Sequence, residues 1–129
     1  MVKLESHELF EASNVKVYGC GQRILVLSHG FGGDQSMWKY IFPYLVPDFS
    51  VRVFDMIFSG SVNPNHFDFE WYTGSFSGYA NDLLAILDEF KVDKCVYVGH
   101  SVSAMVGCLA SIKRLELFAS LILKCGSPR

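Results

Sequence analysis

Apolar residues in this chain follow two periods. Four short runs, at 24–28 (ILVLS), 51–55 (VRVFD), 95–98 (CVYV) and 120–124 (SLILK), are largely apolar and predict buried strands. Residues 14–18 (NVKVY) alternate and end in Gly19-Cys20-Gly21, which predicts a further strand and a tight turn. Helical spacing appears between the strands. Tyr79, Leu83, Ile86, Leu87 and Phe90 recur three and four apart within 76–90, with acids between them. Val102, Ala104, Met105, Val106, Leu109 and Ala110 predict a helix from Ser101 to about Arg114. Asp34 and Ser36 are placed to cap a helix through about Leu45, which Pro43 would kink or restart. Residues 56–72 predict a long loop with Gly60, Pro64 and several aromatics, either functional or a cover for the core. Residues 1–12 predict only a short helix or a loose arm. Strands alternating with helices predict a mostly parallel α/β sheet with right-handed crossovers. With no repeat or linker in view, residues 1–129 read as a single domain.

Composition narrows the classes. The chain is half apolar with a net charge of −2, which argues against disorder and gives no reason to expect nucleic acid or a membrane surface as partner. The four cysteines (Cys20, Cys95, Cys108, Cys125) show no C-x-x-C spacing and read as reduced, buried small hydrophobes of a cytosolic protein. Lys3, Glu5 and Glu8 interrupt the start of the chain, so no signal peptide is expected. No apolar run approaches the ~20 residues that span a bilayer.

After the residue 95–98 run, Gly99-His100-Ser101-Val102-Ser103 sets a serine between strand and helix, with small residues two before and two after it. That is the arrangement of a nucleophile elbow, a strained turn that lifts the hydroxyl above the sheet edge. Gly99 and Ser103 must be small because strand and helix nearly touch there. The usual pattern is G-x-S-x-G, and Ser103 departs from it. The other reading is an ordinary strand-to-helix turn with an incidental serine. A second loop, His29-Gly30-Phe31-Gly32-Gly33, follows the strand at 24–28. A loop there supplies one backbone N–H of an oxyanion hole, and the residue after the nucleophile supplies the other. The expected donors are Phe31 and Val102, each contributing about 3 kcal/mol to the barrier reduction. His29 reads as structural, holding this loop by hydrogen bonds. His100 adjoins Ser101 and should point away from it; His7 and His66 read as surface residues. A different class competes for the same loop. Strand, G-x-G-G, helix, strand and then Asp55 imitate a dinucleotide-binding fingerprint. The imitation fails at the third glycine, where Gln35 is too large, and it leaves the serine turn unexplained.

HGFGGDQSMW (29–38), FD followed by SGSVNPNHFDF (54–69), YVGHSVSAMVG (97–107) and the closing SPR (127–129) together resemble the plant strigolactone and karrikin receptor hydrolases. The bacterial stress-signalling hydrolases are more distant relatives. G-H-S-V-S is similar to that family's own elbow, so the serine at 103 fits. The resemblance covers nearly all of the chain from Asn14 onward, and residues 55–60 (DMIFSG) are most similar to the family's less-studied third branch. Arg114-Leu115-Glu116 departs from an R-P-E/D pattern, with leucine expected only to lengthen the helix end. The resemblance implies an α/β-hydrolase fold, a mostly parallel sheet of about five strands with flanking helices, and a helical lid over an apolar pocket. It implies a Ser–His–Asp triad, with binding and slow hydrolysis of butenolide-type small molecules and no cofactor or metal. It also implies ligand-promoted association with an F-box protein and repressor targets, in cytoplasm and nucleus. Carried over by position, Ser101 is the nucleophile and Phe31 and Val102 the oxyanion donors. His29, Gly30 and His100 flank the site without a catalytic role.

Triad order in the family is Ser, Asp, His, yet the 28 residues after Ser101 contain neither Asp nor His. The chain therefore reads as an amino-terminal half, with the lid, the last strands and both triad partners expected beyond Arg129. Without a base the Ser101 hydroxyl stays protonated and is a poor nucleophile. The chain alone is expected to be inactive, and the alternative reading is a non-catalytic small-molecule or protein interaction module. Leu121-Ile122-Leu123 should lie on an open sheet edge and promote self-association.

Overall fold

The computed structural model of the chain describes residues 6–72 and 76–124. Five strands are present among them: β1 Lys16–Tyr18, β2 Arg23–Ser28, β3 Phe49–Val53, β4 Cys95–His100 and β5 Phe118–Lys124. They form one sheet in the order β1-β3-β2-β4-β5. Strands β3, β2, β4 and β5 are parallel, and β1 pairs antiparallel with β3. This is the mostly parallel α/β sheet that the alternation predicts.

Both faces of the sheet are covered, which is why its strands read as continuous apolar runs. Along β2, Val26 joins a core with Leu83, Ile86, Leu87, Tyr97, Val106 and Ala110. Its neighbours Leu25 and Leu27 point the other way, into a second cluster with Trp38, Val51 and Val53. The first face carries α1 Ser6–Ala12, α4 Ser77–Glu89 and α5 Val102–Lys113, with α1 and α5 both packed on α4. The second carries only short pieces. Instead of one helix through Leu45, the chain makes a 3₁₀ turn at Gln35–Trp38 and a separate α2 at Phe42–Leu45. Asp34 caps the turn by accepting from the Ser36 N–H at 2.8 Å. Pro43 lies in the first turn of α2, where its missing N–H has no intrahelical acceptor to lose, so the chain restarts there.

Other boundaries shift for local reasons. β3 begins at Phe49, which pairs with Arg23, and Phe54 and Asp55 leave the sheet. Residues 56–72 contain a 3₁₀ turn at Pro64–His66 and α3 at Phe69–Tyr72, and they bury Met56, Ile57 and Val62 against the first core. Arg114 leaves helical geometry at φ −141°, so Leu115 opens a 3₁₀ turn instead of lengthening α5. The cysteines correct the expectation of uniform burial. Cys95 is buried, with its thiol pushed up to about 11 by desolvation, while Cys20 is exposed in its glycine-flanked turn and Cys108 is half-buried. All three are free; Cys125 and the closing S-P-R lie outside the described residues, as does the start of the expected amino-terminal arm. No helix among the described residues is long and apolar enough to cross a membrane.

Candidate active site

β4 ends at His100 and α5 begins at Val102, so the whole reversal falls on Ser101. Its backbone sits at φ 59°, ψ −121°, a region that costs a residue with a Cβ about 1–3 kcal/mol. Neighbouring contacts hold it there. The Ser101 N–H donates to the Lys124 carbonyl of β5 at 2.9 Å, and the Ser101 carbonyl accepts from the Ala104 N–H at 2.9 Å. A Cβ on Gly99 would stand 2.5 Å from the Ser103 carbonyl oxygen, so strand and helix do nearly touch. Ser103, fully buried, is more than small. Its hydroxyl donates to the His29 carbonyl and accepts from Ser28 Oγ at 2.8 Å, while the Tyr97 hydroxyl donates to its carbonyl at 2.8 Å. The elbow is thereby bonded to the end of β2.

The loop after β2 is pressed against the elbow from that side. A Cβ on Gly30 would lie 2.9 Å from the Ser101 Cβ and 3.2 Å from the His100 carbonyl oxygen. Phe31 therefore follows directly on the residue that touches Ser101, and Val102 follows Ser101 itself. The Val102 N–H is at the first helical position and has no intrahelical acceptor. His29 is fully buried, with Nδ1 2.8 Å from the Gly30 carbonyl and Nε2 accepting from the Met56 N–H at 2.8 Å. This network assigns the proton to Nδ1 and keeps the ring neutral. Burial also lowers its pKa below the usual imidazole range, against weaker opposing contributions from Gly30, Asp55 and Asp34. His29 is a brace between two loops and has no free nitrogen to move a proton. His100 lies against Gly30, and its buried Nδ1 has no hydrogen-bond partner among the described residues. His66, expected on the surface, is half-buried, and its Nδ1 is likewise without a partner among them.

The aromatic loop expected beside Phe31 is there, in ring contacts that the sequence did not specify. The Phe31 ring, 66% exposed, lies 4.3 Å from Phe58, which meets His29 and Tyr79 edge-on. Tyr79 stacks on Tyr72, and Tyr72 meets Phe67 at a tilt, so rings run continuously away from the elbow. An apolar hollow of about 340 Å³ opens beside them between Phe58, Val62, Pro64 and Phe67. In the sequence Asp55 reads as a strand end, as the acid of the imitated fingerprint and as part of the resemblance, with no bonding role. Its carboxylate instead accepts from the Gln35 N–H at 2.8 Å and from Asn14 Nδ2 at 2.9 Å. Asp34 is held below the usual carboxylate range, chiefly by hydrogen bonds from Ser36 and then Ser61. No cluster of three or more potential ligands for a metal occurs among the described residues.

A strained serine, a helix amide beside it and a glycine loop pressed on it thus meet at one place, where β2 and β4 end. A family model described as alpha/beta hydrolase fold matches residues 23–129. The chain is similar to the karrikin insensitive 2 receptor CA of Petunia hybrida, 54% identical over 119 residues covering 92% of this chain and 44% of the relative. It is also similar to the strigolactone esterase D14 of Arabidopsis thaliana, 52% identical over 126 residues covering 98% of this chain and 47% of the relative. A solved hydrolase from Oleispira antarctica superposes with a TM-score of 0.88 at 32% identity, covering 99% of this chain and 46% of that one. The chain thus spans less than half the length of the curated relatives it matches.

Proposed function

The chain belongs to the α/β-hydrolase fold family, and from that premise we propose that it is a serine hydrolase of the strigolactone and karrikin receptor type. Ser101 carries this reading: the backbone holds it at positive φ between β4 and α5, with the Gly30 loop against it. In the proposed reaction the Ser101 hydroxyl attacks the carbonyl of a butenolide-type small molecule. The Phe31 and Val102 amides then take up the developing oxyanion. Both nitrogens of His29 are engaged, so His29 does not serve as the base in this reaction. Rings such as Phe31 and Phe58 form the apolar floor against which the ligand rests. Ligand-dependent association with an F-box protein and repressor targets, in cytoplasm and nucleus, belongs to the same proposal.

The test joins residues 1–129 in frame to the remaining residues of the petunia receptor and follows p-nitrophenyl acetate hydrolysis. Turnover is expected, and Ser101→Ala should lower it at least about a thousandfold. Turnover unchanged in that variant rejects Ser101 as nucleophile. The engaged imidazole of His29 favours a second reading for the 129 residues on their own, a module that binds without chemistry. Rapid stoichiometric labelling of Ser101 by a fluorophosphonate in the unextended chain rejects that module; absence of the adduct supports it.

A further inference from the structure

Asp55 is 3% exposed, and a buried carboxylate is costly unless its oxygens are paired. Its partners join three separate segments. Oδ1 accepts from the Gln35 N–H at 2.8 Å, at the far end of the glycine loop, and Oδ2 accepts from Asn14 Nδ2 at 2.9 Å. The same Asn14 amide donates to the Ser61 carbonyl at 3.1 Å, and Gln35 Nε2 donates back to the Asn14 carbonyl at 2.8 Å. The Asp55 N–H closes the knot on the Ser13 carbonyl at 2.7 Å.

This knot matters because of where the loop is held at its other end. Gly30 lies against Ser101 and Gln35 on Asp55. Between them the Gly33 N–H donates to the Gly30 carbonyl at 3.3 Å and Asp34 accepts from Ser61 Oγ at 3.1 Å, so residues 31–34 form a held turn with Asp55 at its far end. The Phe31 amide is in that span. Its backbone follows the course of that turn, while the Phe31 side chain is largely in solvent and touches Phe58. We propose that Asp55 is a positioning residue for the oxyanion hole, anchoring the loop that aims the Phe31 N–H at the oxyanion formed when Ser101 adds to an acyl group. The proposal rests on the serine-hydrolase reading above. A carboxylate suits the task because it accepts on both oxygens, and hydrogen bonds to a charged acceptor are about twice as strong as neutral ones. An asparagine would turn an N–H toward a partner that is itself a donor.

The extended enzyme described above provides the test, with p-nitrophenyl acetate as substrate. Asp55→Asn should lower kcat by about 10- to 100-fold, because small displacements of an oxyanion donor act on the transition state, while KM changes little. Adding Asn14→Asp to Asp55→Asn reverses donor and acceptor across that contact but gives up the Asn14 bond to the Ser61 carbonyl, and should restore part of kcat. Asn14→Gly removes one donor while keeping the positive φ of 51° accessible, and should give a smaller loss of the same kind. It decides the matter if Asp55→Asn does not fold. A loss confined to KM, or one that the reversal leaves in place, marks Asp55 as structural and overturns the proposal. So does unchanged kcat in Asp55→Asn and Asn14→Gly. If Ser101→Ala is inactive at the same time, the serine reading still stands; if Ser101→Ala keeps full activity, that reading falls first.

Discussion

Ser103 occupies the place where an elbow ordinarily has glycine, and the structure gives its hydroxyl an occupation. It donates to the His29 carbonyl and accepts from Ser28, partners 74 and 75 residues away in the chain. Ser103→Gly would restore the commoner pattern yet leave both buried partners short of a bond. It is expected to lower stability by about 1–2 kcal/mol, a sum of lost hydrogen bonding and added backbone freedom. The midpoint of a urea melt of the 129-residue chain measures this; an unmoved midpoint would show that the hydroxyl contributes nothing. That the position must be small was legible in the sequence, because the need arises between residues four apart. What the hydroxyl bonds to was not, since no local pattern reports contacts across such separations.

Elements followed the same division. The five strands and the helices α4 and α5 were legible because each buries a face whose period is set by its own backbone. The helix through Leu45 was misread, since a single apolar stretch with Pro43 inside it does not reveal that Lys39 to Ile41 cross from one short turn to the next. The loop at 56–72 hid its two short helical pieces for the opposite reason, having no period at all. Packing between β4 and α5 depends on gaps that Gly99 and Gly107 leave. A Cβ on Gly107 would stand 2.3 Å from the buried Tyr97 ring, whereas one on Gly60 meets nothing within 4 Å. Gly107→Ala should therefore destabilise by about 1–3 kcal/mol through overpacking. Gly60→Ala should leave the melt within about 0.5 kcal/mol of the parent. Equal midpoints for the two variants would contradict the packing described.

On the scale of the molecule, the sheet has two unequal edges. β1 is a three-residue strand on one side, and β5 on the other presents Ile122 and Leu123 at 53% and 44% exposure. Short edges discourage pairing and long apolar ones invite it. The 129-residue chain is accordingly expected to elute above its monomer mass in size-exclusion chromatography with light scattering, and Ile122→Lys should shift it toward the monomer. A clean monomer in the parent would remove β5 as a sticky edge. The same strand has a second consequence, one of timing. The amide of Ser101 is held by the carbonyl of Lys124. A chain leaving the ribosome in order presents Ser101 and the whole of α5 before that carbonyl has emerged. During synthesis the Ser101 turn must wait unlatched, and the strained serine becomes one of the later features of this fold to be locked in place.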